Sequence, residues 1–313
     1  MKTVTKILLI AASVFLVGAL IFLISLAAAG WRLGGLSSTV SEERTYNESE
    51  ENEIKSIEFD VENVDVIITF GEEFSVKYPE IFTSGGKPVN EIKVSDTGGA
   101  FKLTEKTTWH FGLSLDRYVI YVTLPSERAC DVRLDGNNGD VDLRGTGTVS
   151  SLFINLDNGD VEISGGSLTS LGDINVTTDN GDVDLGTFSA KSVTVETNNG
   201  EIDLQGGTAS EKVKLGTDNG DVELSGRLTA ASVEATTDNG EISFGEGEIC
   251  ADKIILSTDN GEIEAKILGR KSDYTITVDS DLGDSNIVNQ SGGSKILEIS
   301  SDIGDIEIHF VEN

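Results

Sequence analysis

Pairs of acidic residues recur along the C-terminal part of this 313-residue chain, and their type and spacing could do chemistry. One acid follows the glycine of each copy of a short motif, and in most copies a second acid comes two residues later. The first acids are Asp140, Asp160, Asp182, Glu201, Asp221, Glu241, Glu262, Asp284 and Asp305; the second acids are Asp142, Glu162, Asp184, Asp203, Glu223, Glu264 and Glu307. If the copies stack as β-strands, these acids form two columns with a rise of about 4.7 Å.

Calcium binding is the first chemistry to consider for such columns, because Ca²⁺ takes oxygen ligands from carboxylates. Unit charges at this separation repel each other by about 0.9 kcal/mol in water, and a divalent cation would relieve that repulsion. The spacing, however, matches neither an EF-hand loop nor the nonapeptide calcium-binding β-helix repeat. We therefore predict a solvated acidic face that opposes aggregation and no metal site, with calcium on the acid columns as the alternative hypothesis.

Acid–base catalysis is the second chemistry, since parallel β-helices include polysaccharide lyases and hydrolases that use paired carboxylates. A catalytic pair needs surroundings that push its two pKa values apart, whereas pairs such as Asp182 and Asp184 recur here in near-identical settings. His110 and His309 are far apart in sequence and lie in no metal or catalytic motif; we expect His110 in a loop and His309 pointing outward on the final strand. The sequence predicts no catalytic residue and no cofactor site, and hence a protein that is not an enzyme.

The acids belong to a tandem repeat whose copies are spaced by 19 to 22 residues, as in a solenoid or propeller array. Its corners are Asn138-Gly139, Asn158-Gly159, Asn180-Gly181, Asn199-Gly200, Asn219-Gly220, Asn239-Gly240, Asn260-Gly261, Leu282-Gly283 and Ile303-Gly304. Asn-Gly between alternating strands also favours hairpins, but a type I′ turn would force Ile303 to a positive φ. We therefore predict a β-solenoid with coils of about 20 residues, a glycine in the left-handed region at each corner and stacked asparagines in a hydrogen-bonded ladder; hairpins or propeller blades are the alternative.

The N-terminal part of the chain is different in composition and divides into three segments. Ile7–Ala29 is an uncharged apolar run that could span a bilayer as a helix, and Lys2 and Lys6 before it predict a cytoplasmic N-terminus. The alternative is a signal peptide cleaved after Ala29. We predict a membrane anchor over 1–30, a flexible acidic linker over 31–53, a β-rich lead-in over 54–130, and repeats over 131–313 that continue the lead-in as one domain.

The charge and the cysteine content exclude further classes of function. A formal charge of −31 repels nucleic acid and anionic lipid headgroups, so a nucleic-acid partner is not expected. Cys130 and Cys250 lie about six coils apart, too far for a disulfide, and we predict that both are unpaired.

The alternating strands after an apolar segment, the run Tyr121-Val-Thr-Leu-Pro125 and the serial Asn-Gly-Asp-Val units resemble the bacterial "putative adhesin" β-strand-repeat family. LiaG-like membrane-anchored proteins of the envelope-stress response belong to that family. The resemblance implies a right-handed parallel β-helix in a single-pass protein of the cell membrane, with its C-terminal domain outside the cytoplasm and no established catalytic residues. The expected function is a non-enzymatic adhesin or envelope-interaction module that binds an envelope polymer or a surface protein. The alternatives are an accessory role in envelope-stress signalling and, less favoured, a carbohydrate-active enzyme.

Overall fold

The computed structural model describes residues 3–28, 39–49, 53–83, 85–108 and 118–312. The chain begins with a helix, α1 (Thr3–Ala28), whose side chains are described over residues 15–27. Within the described part of the chain, no helix is both long enough and apolar enough to cross a membrane. The membrane anchor over 1–30 therefore stays a prediction.

Strands make up the described chain after the helix. The lead-in forms β1 (Thr39–Asn47), β2 (Ser56–Asn63), β3 (Asp65–Gly71), β4 (Ser75–Thr83), β5 (Asn90–Thr97), β6 (Ala100–Thr107) and β7 (Val119–Pro125). The repeats begin with β8 (Asp131–Asn138), β9 (Val141–Arg144), β10 (Gly147–Val149), β11 (Ser151–Asn158), β12 (Val161–Ser170), β13 (Asp173–Asn180), β14 (Val183–Ala190), β15 (Ser192–Asn199), β16 (Ile202–Leu204) and β17 (Gly207–Ala209). They end with β18 (Lys212–Asn219), β19 (Val222–Leu224), β20 (Arg227–Thr229), β21 (Ser232–Asn239), β22 (Ile242–Cys250), β23 (Lys253–Asn260), β24 (Ile263–Leu268), β25 (Tyr274–Leu282), β26 (Lys295–Ile303) and β27 (Ile306–Val311), with a short 3₁₀ helix at Lys271–Asp273.

Each repeat is one coil of a solenoid that alternates between two sheets. A strand of the 12-stranded sheet, called sheet II here, ends at the asparagine; the chain turns at the glycine and continues in the 15-stranded sheet, sheet I. Equivalent strands of successive coils pair in parallel, so that Asn180 lies beside Asn158 and Asn199. The prediction of stacked coils is confirmed, and the hairpin alternative is wrong, because strands joined by a hairpin would be antiparallel.

The core lies between the sheets and runs without interruption from the lead-in to the last coil. Alternation produces it: in β13 the side chains of Ile174 and Val176 are fully buried, while their neighbours face outward. Aliphatic residues of sheet I, such as Val183 and Leu185, close the core from the other side. Burial of these side chains against both sheets supplies the main stabilisation of a fold whose individual coils could not fold alone.

The N-terminal end of the solenoid departs from the repeat. Strand β2 lies between β8 and β6, so the first coil of the chain is covered by a later one, and β5 pairs antiparallel with β6 at the edge. The β5–β6 turn carries positive φ at both Gly98 (65°) and Gly99 (83°), as a two-residue hairpin requires.

The flexible linker predicted over 31–53 is wrong for residues 39–47. These residues form β1, which pairs antiparallel with β4 along its whole length. Just beyond the strand, Arg128 donates to both carboxylate oxygens of Glu48 at 2.8 and 2.7 Å. The acidic composition did not indicate a strand because β1 is an edge strand in which seven of nine residues are exposed, and charged side chains are favourable there. Residues 31–38 and 50–52 lie outside the described residues.

The C-terminal end also departs from chain order. Strand β26 inserts between β23 and β25, so that Ile303 lies beside Asn260 on one side and Leu282 on the other. Asparagine side chains close the sheet edges: Asn286 exchanges hydrogen bonds with the backbone of Ile308 at 3.0 and 3.1 Å, and Asn90 bonds Ile81 N and Pro79 O at the other end. These amides satisfy groups that would otherwise be free to pair with another chain.

Candidate functional site

The corner glycines are required by close stacking of the backbone. A Cβ built on Gly220 would lie closer than 3.0 Å to the carbonyl oxygen of Gly200, and the same holds for each corner glycine and the backbone beside it. The prediction of a glycine with positive φ at every corner holds at four of the nine: Gly139, Gly159, Gly220 and Gly304 have φ between 145° and 159°. It is wrong at the other five corners. Glycine is needed because the coils touch here, and only a residue without a side chain allows that approach.

The predicted asparagine ladder is confirmed. Each side-chain amide donates from Nδ2 to Oδ1 of the asparagine in the preceding coil at 3.0–3.2 Å, from Asn138 through Asn260. The ladder extends one coil further than the dipeptides indicate, because Asn138 donates to Asn63, and Asn63 in turn donates to Thr107 Oγ1 at 2.9 Å. It ends at Asn260, whose neighbour in register is Ile303.

A buried column of hydroxyl groups lies inside the same corner and was missed from the sequence. The members are Thr178, Thr197, Thr217, Thr237, Thr258 and Ser301, each donating to the carbonyl of the corner glycine in the preceding coil at 2.9–3.2 Å. All six are at most 4% exposed. The signal was available, since a threonine or serine stands two residues before the asparagine position in these copies.

The first acids have a structural role in the turn. The carboxylates of Asp65, Asp140, Asp160, Asp182, Asp221 and Asp305 each accept the backbone N–H of the equivalent residue in the adjacent coil at 2.8–3.2 Å. In the described residues the longer side chains of Glu201, Glu241 and Glu262 make no such bond. Aspartate at this position therefore adds a side-chain hydrogen bond to the turn of the adjacent coil, and glutamate does not.

The second acids form the predicted column on the outer face of sheet I. Register places Asp142, Glu162, Asp184, Asp203 and Glu223 side by side in successive coils, with Ser243 next and Glu264 and Glu307 beyond it. A third column was missed; it holds the exposed residues before the asparagine position, such as Asp157, Asp179 and Asp218. The corner therefore presents more negative charge than two columns would.

Repulsion is concentrated where the columns meet at Glu201, Asp203 and Glu223, whose carboxylate oxygens lie within 4.8 Å of one another. Partial burial and then the charge of Asp203 raise the pKa of Glu201 and of Glu223. The pKa of Asp184 is raised by the same two causes in the same order. The raised pKa values indicate that partial burial and the closeness of these carboxylates disfavour their ionised form in the folded protein.

The cluster has the ligand type that calcium prefers but not an enclosing shape. Ca²⁺ takes six to eight oxygen ligands, whereas three exposed carboxylates on one flat face leave the rest of the shell to water. Its chemistry is therefore that of a surface that attracts cations.

The remaining candidates show no shared site. His309 points outward, as predicted, with Nε2 2.9 Å from Glu307 Oε1; His110 lies outside the described residues. Cys130 is buried with its thiol 3.3 Å from Ile54 O, and burial raises its pKa, while Cys250 is half-buried; both are free.

A cleft on the outer face at the N-terminal end of sheet I lies outside the repeated geometry. It has a volume of about 230 Å³ and is lined by Tyr78, Tyr118 and Tyr121, with Glu43 and Lys77 beside them. Three of the five tyrosines of the chain thus meet in one place. Tyr121 is 48% exposed and lies beside Lys77 across the antiparallel pair β4–β7.

A larger cleft of about 500 Å³ lies on the outer face of sheet II, but its aromatic surface is already covered. The Arg133 guanidinium stands 4.1 Å from the centre of the Phe153 ring and also pairs with Asp135. In the described residues no charged group covers the ring of Tyr121 in this way.

The model of the family described as Toastrack DUF4097 matches residues 54–309. The chain belongs to this family. The predicted resemblance is therefore confirmed.

Among solved structures, a protein described as a "putative adhesin" from Bacteroides fragilis is 15% identical, with 86% of this chain and 97% of that chain covered and a TM-score of 0.46. A "putative lipid binding protein" from Parabacteroides distasonis is also 15% identical, covering 87% and 96% with a TM-score of 0.49. A "putative adhesin" from the same organism is 10% identical, covering 86% and 97% with a TM-score of 0.40. Comparison with curated proteins found no match.

Most of the geometry of this Toastrack domain recurs from coil to coil, and a few features occur once. The corner glycines, amides, hydroxyls and acids are repeated, and each copy contacts the adjacent coil. Among the coils that the structure describes, none repeats the tyrosine cleft, because it depends on the antiparallel strands β1 and β4 of the lead-in. It is the candidate binding site of the Toastrack domain.

Proposed function

We propose that this Toastrack protein is a non-enzymatic binding module of the cell envelope that recognises a saccharide polymer through the tyrosine cleft. Repetition supports the absence of catalysis, since equal carboxylate pairs in equal surroundings do not separate into an acid and a base. The observation that carries the binding proposal is the exposed ring of Tyr121 in a cleft that also holds Glu43 and Lys77.

The chemistry of the cleft fits a sugar. The apolar face of a pyranose ring can stack on an exposed aromatic ring, while hydroxyls of the sugar bond to polar groups at the rim. Tyr118 is held in place by a 2.6 Å hydrogen bond between its hydroxyl and Thr39 Oγ1. Burial and then Glu80 raise the pKa of Tyr78, so its hydroxyl keeps the proton it would donate. A few fixed polar groups around an apolar surface are typical of small-ligand sites.

The net charge of the protein favours some classes of saccharide polymer over others. At −31 the protein repels polyanions, so a neutral or amino-substituted glycan is favoured over a phosphate-rich polymer. A surface protein is the other partner that the sequence predicted, and no residue described in the structure favours it. The envelope-stress alternative likewise gains no support from the described contacts and stays a prediction.

The test is affinity electrophoresis of the full chain in detergent against purified neutral, amino-substituted and anionic envelope polysaccharides. We expect retardation by one of the first two and at least a tenfold weaker affinity for Tyr121→Ala. Phe153→Ala is the matched variant, because it removes a half-exposed ring from the other face. Retardation that survives Tyr121→Ala but is lost in Phe153→Ala would move the site to sheet II, and no retardation by any polymer would reject the proposal.

We further infer that residues 1–30 anchor the protein in the cell membrane with the N-terminus in the cytoplasm and the domain outside. The apolar run Ile7–Ala29 and the lysines before it support this arrangement. Protease added to intact cells should digest a C-terminal tag and spare an N-terminal one. Protection of both tags would contradict the topology.

We also infer that the coils wind to the right. A connection between parallel strands of one sheet is right-handed in about 98% of cases, and the strands of sheet II from β8 to β23, which follow one another in chain order, are joined by such connections. A crystal structure with left-handed coils would reject this.

A further inference from the structure

Seven Asn-Gly dipeptides form corners of this solenoid, and Asn-Gly is the pair in which an asparagine loses its amide most readily, because glycine offers no side chain to hinder the reaction. The hydrogen-bond ladder holds these amides unequally. We propose that Asn260 is a self-modification site, at which deamidation of the folded protein begins and from which it advances toward the N-terminal end of the ladder.

The reaction needs only water as a co-reactant. The backbone nitrogen of Gly261 attacks Cγ of Asn260 and forms a C–N bond; the Cγ–Nδ2 bond breaks, and ammonia leaves with the proton from the peptide nitrogen. Water then opens the resulting five-membered imide at either carbonyl, which gives aspartate or isoaspartate. Both the attacking nitrogen and the leaving amide must be free to move.

The fold restrains the attacking nitrogen equally at all seven corners. Each glycine N–H donates to the carbonyl of the residue before the next glycine in the stack, at 2.9–3.1 Å. For Gly261 that acceptor is Ile303 O at 2.9 Å. The nitrogen therefore does not distinguish one corner from another.

The side-chain amides are restrained unequally. All seven asparagines donate from Nδ2 to a backbone carbonyl at 3.4–3.5 Å, so this bond does not distinguish them. The six from Asn138 to Asn239 in addition donate one ladder bond through Nδ2 and accept another through Oδ1, and both must break before the amide can rotate. Asn260 donates to Asn239 Oδ1 at 3.2 Å, but its own Oδ1 faces Ile303 and accepts no hydrogen bond in the described residues. Only one ladder bond holds it.

The opposite end of the ladder is protected by its sequence. Asn63 is followed by Val64, whose side chain hinders the attack, and Asn63 is itself bonded to Thr107 Oγ1 at 2.9 Å. Asn138 therefore has a ladder partner on both sides. Loss of the amide at Asn260 removes the donor to Asn239 Oδ1, which makes Asn239 the next residue with a single ladder bond.

Peptide mapping by mass spectrometry tests the order of reaction. The full chain is incubated at mildly alkaline pH, and conversion of each amide to an acid is followed separately at the seven corners. We expect Asn260 to react at least about fivefold faster than any of the six others, the factor that one net hydrogen bond of about 1 kcal/mol gives, and Asn239 to follow. The same sample in urea should show no such preference.

A substitution that extends the ladder makes the test independent of local sequence. Ile303→Asn gives Asn260 a second partner, so its rate should fall to that of the other six and the fastest site should move to position 303. Ile296→Asn is the control, because Ile296 is 40% exposed on the same strand but lies outside the ladder. Equal rates at all corners of the folded protein, or the same preference for Asn260 in urea, would overturn the proposal.

Discussion

The side-chain amide of Asn138 donates a 3.0 Å hydrogen bond to Oδ1 of Asn63, across 75 residues of sequence. Asn63 is followed by valine, so it belongs to none of the Asn-Gly dipeptides. The contact joins the first strand of sheet II in the lead-in to the first strand of the repeats. Lead-in and repeats therefore share one ladder and one core.

Replacement of Asn138 by alanine should destabilise the domain by about 1–2 kcal/mol, because it removes the bond to Asn63 and the bond from Asn158. Asn137→Ala is the matched control, since Asn137 is exposed and its side chain makes no hydrogen bond in the described residues. Urea unfolding of both variants measures the difference as a shift in midpoint at constant slope. Equal midpoints would show that the amide ladder contributes nothing to stability.

Replacement of Gly220 by alanine should destabilise the domain by about 3 kcal/mol or more, since the new Cβ would meet the backbone oxygen of Gly200 and neither backbone can move away. Gly216→Ala, in the preceding strand, places its Cβ 3.4 Å from Thr236 Oγ1, which is ordinary contact. We expect this control to stay within about 1 kcal/mol of the wild type. If thermal unfolding shows similar losses for both, close stacking is not what requires glycine at the corner.

The corners and the alternating core could be predicted from the sequence, because a fixed spacing of Asn-Gly pairs and a period of two residues leave few ways to bury the aliphatic side chains. The asparagine ladder followed from the same spacing. Why the corners require glycine could not be predicted, since the close approach between Gly220 and Gly200 depends on the distance between stacked coils and not on the local sequence pattern.

The ends of the solenoid could not be predicted, because strand order is not encoded in periodicity. Nothing in the pattern of β26 indicates that Ile303 lies between Asn260 and Leu282. The tyrosine cleft could not be predicted for the same reason, because Tyr121 lies beside Lys77 only through the antiparallel pairing of β4 with β7. The acidic strand β1 was hidden by its composition, which resembles that of a linker.

The charge cluster at Asp203 should respond to pH with a definite sign. The pKa values of Asp184, Glu201 and Glu223 are raised in the folded state, by partial burial first and by Asp203 second. Because the pKa of these carboxyl groups is raised in the folded state, their ionisation destabilises the fold, and the full effect is present above the folded pKa. The destabilisation is relieved as the pH falls through the folded pKa toward the unfolded value near 4. Asp203→Asn should therefore stabilise the domain at pH 7 and have little effect at pH 4.

The stabilisation by Asp203→Asn should be at most about 1 kcal/mol at low salt and smaller at physiological salt, because these side chains are exposed and screened. Glu127→Gln is the control, since Glu127 is an exposed carboxylate in the turn after β7, away from the columns. Melting temperatures at pH 4 and pH 7, each at low and high salt, measure both dependences. A stabilisation that is the same at both pH values would show that repulsion is not its source.

Calcium should act on the acid columns only as a diffuse counterion. Glu201, Asp203 and Glu223 offer carboxylate oxygens within 4.8 Å of one another but do not enclose a cation. We expect millimolar calcium to raise the melting temperature no more than magnesium does at equal ionic strength, and EDTA to leave it unchanged. Asp203→Asn should reduce both effects equally. A calcium-specific rise that EDTA reverses and Asp203→Asn abolishes would instead establish the calcium site that the sequence left as its alternative.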